Sequence, residues 1–222
     1  MKNFKGIVYA ALSSSTFGLA PLFSILLLSD GFSSFEVLSY RWGVASLTLG
    51  IVGLAGGCRF RISRQELCTV FFLSLFRAAT SLSLVIAYQN ISSGVASIIH
   101  FMYPLAVALA MALFFRERIS WRTAAAIGVS LAGVALLSAG GIGSRGGDTT
   151  SGTVAAAVSV FAYAGYIIGV RKSRAAQVES TTLTFYVMAF GALLFLCGGM
   201  FTGGVRLCLL YTSPSPRDRS VS

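Results

Sequence analysis

The chain has 222 residues, of which 55% are hydrophobic and 11% charged, and its mean hydropathy is +0.80. About a quarter of an average soluble chain is charged, so this one has too little charge to coat a globule. Its formal charge of +10 is not a nucleic-acid footprint, because such proteins carry Lys and Arg as patches on a polar body. The four cysteines, Cys58, Cys68, Cys197 and Cys208, lie far apart with no CxxC and no metal spacing, which excludes a disulfide scaffold and leaves a polytopic membrane protein.

About 20 apolar residues carry a helix across the hydrocarbon core. Seven such runs follow in chain order: 6–28, 36–57, 67–88, 94–115, 123–140, 153–170 and 182–202. They are continuously apolar rather than alternating, which excludes barrel strands. The first is too long for a signal-peptide core and no small-x-small site closes it, so it reads as a retained span.

Short loops let the charge bias set orientation. Lys2 and Lys5, then Arg59, Arg61 and Arg64, then Arg116, Arg118 and Arg122, then Arg171, Lys172 and Arg174 put eleven of 17 cations on one side. The opposite segments hold Arg145 and Arg206. The N-terminus is therefore expected on the cytoplasmic side of a bacterial inner membrane.

A shift of 146 residues aligns Gly6, Val8, Ala10, Ala11 and Ser13 with Gly152, Val154, Ala156, Ala157 and Ser159. The same shift brings Tyr40 and Leu47 onto Tyr186 and Leu193. A repeat unit of five spans is odd, so the second copy is expected upside down, as in secondary transporters built from inverted repeats. The expected organisation is a first five-helix repeat over 1–141, the start of a second over 142–207, and a foreign tail over 208–222. The tail, from Cys208 through Pro214 and Pro216 to Asp218, is polar and Pro-rich. It resembles a translated transposon-end adapter used in DNA library preparation.

From the end of the third span the chain reads Ala87-Tyr88, Ser92-Ser93-Gly94-Val95-Ala96-Ser97-Ile98-Ile99, Pro104, Phe115-Arg116-Glu117-Arg118-Ile119, Gly128 and Gly133-Val134. With Tyr40-Arg41 and Ala162-Tyr163, this pattern resembles the EamA repeat of the drug/metabolite transporter superfamily. The resemblance implies an all-α membrane protein, a bundle of two inverted five-helix repeats, the second incomplete here. It also implies export or exchange of small metabolites, often amino acids or related solutes.

Individual residues give the candidate pathway. Arg77 lies near mid-span, where an arginine needs a partner or a water-filled cavity; it reads either as an anion-binding group for substrate or as a buried pair. Arg41 sits about 7 Å below the outer surface and either snorkels to headgroups or contacts substrate at an outer gate. Tyr40 and Trp42 beside it fit an aromatic belt. Glu117, among Arg116, Arg118 and Arg122, fits a local salt bridge with a structural or gating role. Pro104 and Pro21 each remove a backbone hydrogen bond, and kinks there would open a cavity beside Arg77. His100 is one turn from Ser97, but no nucleophile elbow or acidic orienter accompanies the pair. That leaves an interhelical hydrogen bond, substrate contact or a proton relay. Ser14 belongs to a hydroxyl run on the first span, and Tyr163 and Tyr166, one turn apart, share a face of the sixth. Ala106/Ala110, Ala108/Ala112 and Gly53/Gly57 are small-xxx-small pairs that mark packing surfaces.

No GxxxxGK[ST] phosphate loop is present and no acid lies deep within a span. The expected activity is secondary transport by alternating access, without cofactor or metal. An intramembrane enzyme would need clustered His, Asp or Glu at depth, and a channel or structural subunit would show a repeated pore-lining stripe. The expected partners are a small-molecule solute and the lipid bilayer, with a homodimer left open and no nucleic acid.

Overall fold

A computed structural model describes Ile7 and residues 21–117, 120–139 and 148–202, except for the side chains of 123, 124, 130, 131, 134, 135 and 137–139. Ser14 and the tail over 208–222 lie outside the described residues.

The helices begin where polar side chains cap them. Residues 21–29 form the described part of α1. Next, α2 (Ser34–Ala55) opens on a capping box in which Ser33 and Glu36 each satisfy the other's backbone N–H. Ser63 and Glu66 repeat the device for α3 (Arg64–Asn90). A fourth apolar run divides into α4 (Ser93–His100) and α5 (Tyr103–Phe115). Then come α6 (Trp121–Ala139), α7 (Thr149–Lys172), whose N-cap Asp148 accepts from Thr150 N–H at 3.1 Å, a 3₁₀ turn (Arg174–Gln177) and α8 (Ser180–Phe201). Among the described residues there is no strand.

Five segments are long and apolar enough to cross a membrane: α2, α3, α4 with α5, α7 and α8. The chain is an all-α membrane bundle. Its outer surface is apolar: Leu47, Leu113, Phe114, Phe161 and Phe201 are all more than 60% exposed, which fits lipid and not water.

The run containing Pro104 breaks rather than bends. Pro104 is the second residue of α5, where a missing N–H costs little, but it cannot bond the carbonyl four residues back, at His100. The chain tightens there: Met102 N–H bonds Ile99 O at 3.0 Å, and Phe101 and Met102 leave the helix.

Two antiparallel pairs organise the bundle. In the first, α2 packs along α8: Phe35 meets Phe195 and Gly198, Trp42 meets Gly191, and Gly50 meets Phe185. Both ends of α8 fall 146 residues after the ends of α2. In the second, α3 packs along α7: Leu73 fills the space over Gly169, Phe76 that over Gly165, and Ile91 that over Gly152. Of the expected Gly53/Gly57 pair, Gly53 lies against the Phe60 ring, whereas Gly57 has no described atom within 4 Å of where a Cβ would stand.

Contacts sort the loops into two ends. At one, Cys58 Sγ–H donates to Glu179 at 3.0 Å, Tyr186 OH donates to Phe60 O at 3.1 Å, and Lys172 pairs with Glu117 at 3.1 Å. At the other, Ser34 Oγ reaches Gln89 Oε1 at 3.4 Å and Gly152 abuts Asn90.

Candidate functional site

Arg77 is the middle residue of α3, about 20 Å from each helix end. An arginine at the centre of a membrane helix costs about 2.5–3.5 kcal/mol on insertion scales. Its guanidinium carbon lies 5.1 Å from the Tyr163 ring centroid and 5.6 Å from that of Trp42. Each cation–π contact returns about 0.5–2 kcal/mol when desolvated, so the two rings offset much of that cost. Nη1 donates to Ser81 Oγ at 3.2 Å. The remaining guanidinium hydrogens are directional donors for a planar oxyanion.

Arg41 turns inward. Its Nη1 donates to Ser24 Oγ of α1 at 2.9 Å, and it lines the same cavity as Arg77. Headgroup snorkelling does not describe it. Nor does a membrane belt describe Trp42, which is 3% exposed, stands over Arg77 and meets Phe195 edge-on at 5.4 Å. The slot for its ring comes from Gly191, on a helix far along the chain.

His100 is buried and bonds across to α7 through Ser159, Nδ1 to Oγ at 3.0 Å. Ser159 spends its one hydroxyl hydrogen on the Ala156 carbonyl at 2.6 Å, so it accepts from Nδ1–H. A neutral ring then keeps Nε2 as an acceptor. The interhelical hydrogen bond expected of His100 is thus present. Ser97 is not its partner; Ser97 Oγ lies 3.3 Å from Tyr88 OH. The ring of His100 packs against Tyr103 and Tyr163 at 5.9 and 5.4 Å, and Tyr163 stacks on Tyr166 at 5.9 Å.

Arg41, Arg77, His100 and Tyr163 therefore converge on one cavity, completed by Pro21, Thr80, Ser81, Leu84, Val85 and Tyr88. Its volume is about 40 Å³, room for a few waters. Tyr88 also borders a second space of about 210 Å³ with Ile25, Leu28, Ser29 and Gln89, which lies toward the Ser34–Gln89 end. Pro104 is exposed and does not line the cavity; its effect runs through the helix break that sets His100 and Tyr103 at its edge. Tyr166 packs into the main apolar core instead.

Glu117 lies outside this cluster. It pairs with Lys172 of α7. Arg116 makes the turn in the left-handed region, φ 52°, and Lys172 Nζ sits 4.6 Å from the Phe115 ring centroid.

Residues 4–139 match the EamA-like transporter family. The chain belongs to that family. The matched region contains Arg41, Arg77, His100, Pro104 and Glu117, whereas Tyr163 and Tyr166 follow it. Over 137 residues the chain is 27% identical to an uncharacterized transporter of Archaeoglobus fulgidus, covering 61% of this chain and 44% of that relative's length. Against that relative the EamA-like match therefore spans less than half of a longer protein.

Proposed function

We propose that the chain acts as an integral membrane secondary transporter. It moves small metabolites, amino acids or related solutes, across the bacterial inner membrane by alternating access, with its N-terminus cytoplasmic. The observation that carries this reading is the mid-depth cavity: two arginines, a histidine, two tyrosines and the hydroxyls of Thr80 and Ser81 gathered inside an apolar bundle. Ionisable groups at such depth mark solute or ion pathways. Organisation into two inverted repeats, 1–141 and 142–207, is supported by the equal length, the 146-residue offset and the antiparallel packing of α2 and α8. The end carrying Cys58, Glu117, Lys172 and Glu179 is the one rich in arginine, which supports placing it inside. Arg77, Tyr163 and His100 form the solute pathway, Arg41 its outer part, and the Glu117–Lys172 pair an inner tie.

The test is counterflow in proteoliposomes loaded in turn with labelled alanine, glutamate and succinate. Saturable exchange that Arg77→Ala lowers at least tenfold at equal protein content is the expected result. Linear, non-saturating flux for every solute would mean a pore, and an unchanged rate in Arg77→Ala would remove that residue from the pathway.

A further inference from the structure

We infer that Arg41 and Arg77 form one clasp for a small organic anion, a carboxylate or phosphate carrying no free ammonium. The inference rests on the transport reading and narrows its solute class to small metabolites without an ammonium, which sets amino acids aside.

Three observations lead there. Both guanidiniums line the same cavity, and neither is paired with a carboxylate among the described residues. The cavity's other polar groups are Thr80, Ser81, Tyr88, His100 and Tyr163, all neutral partners when the imidazole is neutral. Each arginine has one hydroxyl companion, Ser24 for Arg41 and Ser81 for Arg77, which fixes the fork and leaves further N–H groups to donate. A guanidinium binds a planar or tetrahedral oxyanion through two parallel hydrogen bonds. Two cations with no counter-charge among the described residues, in a low-dielectric interior, favour a ligand that supplies the negative charge.

The same residues discriminate against a cationic centre. The ammonium of a zwitterionic amino acid would meet two guanidiniums and find no carboxylate in the lining; like charges at close quarters are strongly penalised. The small volume admits an anionic head group first, with the rest of the solute reaching past Tyr88 into the adjoining space.

Trp42 reports on this clasp, because its ring faces the Arg77 guanidinium. Trp121, the second tryptophan, is 85% exposed and is replaced by Phe. The Trp121→Phe protein in phosphatidylcholine nanodiscs, free of anionic lipid, is titrated at constant ionic strength with succinate, inorganic phosphate, ethanolamine or glycerol. The expected result is a saturable change in Trp42 emission with succinate or phosphate and none with ethanolamine or glycerol. Arg41→Gln and Arg77→Gln should each weaken it at least tenfold, with Arg41→Lys and Arg77→Lys between. The Lys variants keep the charge and carry the comparison should a Gln variant fail to fold. The preference between succinate and phosphate identifies the head group. No saturable anion response in the folded protein, a response that Arg41→Gln leaves intact, or ethanolamine binding as tight as succinate overturns the clasp. Saturable counterflow of a neutral solute without any anion response would do so while sparing the transport reading. Anion binding without saturable counterflow of any solute would do the reverse.

Discussion

The two antiparallel pairs, α2 with α8 and α3 with α7, use one packing device for different ends. In both, a large side chain on the earlier helix sits over a glycine on the later one: Trp42 over Gly191, and Leu73 and Phe76 over Gly169 and Gly165. Between α2 and α8 the result is apolar, with Phe195 meeting both Phe35 and Trp42. Along α3 and α7 the packing is close only in part; around the middle it admits Arg77, Tyr163, Ser159 and the cavity. Close fit makes one interface a fixed contact, and interrupted fit makes the other a site.

The largest break in that contrast is Gly191→Leu. Its side chain would occupy the volume of the Trp42 ring, and overpacking of this kind costs about 1–3 kcal/mol or more. The detergent-solubilised protein should lose thermal stability sharply, whereas Gly43→Ala, with no described atom within 4 Å of the added carbon, should change it by under about 1 kcal/mol. Equal effects at the two glycines would show that the apolar interface is not tight.

Ser159→Ala probes the α3 and α7 pair. It strands His100 Nδ1–H beside α7, and an orphaned buried donor costs about 1–3 kcal/mol. A melting curve should show the loss, and Ser159→Thr, which keeps the hydroxyl, should recover part of it.

A third measurement reads the arginine-rich end of the α2 and α8 pair. The Glu179 carboxylate accepts the Cys58 S–H, holding the thiol above its usual pKa; partial burial and the carboxylate's charge add to this. Only thiolate reacts, so maleimide labelling of Cys58 should lag a free thiol and rise at higher pH. Glu179→Gln should move the profile to lower pH and speed labelling at pH 7. The reading needs Cys68, Cys197 and Cys208 replaced by Ser. A profile unmoved by Glu179→Gln would sink the contact.

The smallest effect is expected at Glu117. Both partners of its salt bridge are well exposed, 37% and 44%, and such pairs contribute about 0–1 kcal/mol. Glu117→Gln should hardly shift the melting temperature. Its consequence, if Glu117 ties α5 to α7 during transport, would appear in the exchange rate instead.

The order of the described helices was legible because a span is a local property: about twenty apolar residues suffice to declare it. Helix starts were not. The expected spans began two to four residues late at Glu36, Leu67 and Thr153, because the caps Ser33, Ser63 and Asp148 start each helix within the polar residues that precede the apolar run. In the site, Arg77, His100 and Tyr163 stood out as polar groups at similar depth, and the structure gathers them. Arg41 was ambiguous, since depth alone does not say which face a side chain takes. Trp42 and Ser159 were hidden for a related reason. The slot for one is made by a residue 149 positions later, and the other is one hydroxyl among many until His100 reaches it. Pro104 announced a kink, but neither the break into two helices nor its own exposure.

The crossing of α2 and α8 has a mechanical consequence. Trp42 meets α8 at Gly191, close to the middle of that 22-residue helix, leaving α8 arms of about 16 Å on either side. A lever with equal arms trades opening at one end for closing at the other, and a tilt of about 10° moves each tip by ~3 Å, about the diameter of a water molecule. The Trp42 ring seated over Gly191 is the fixed point of that lever.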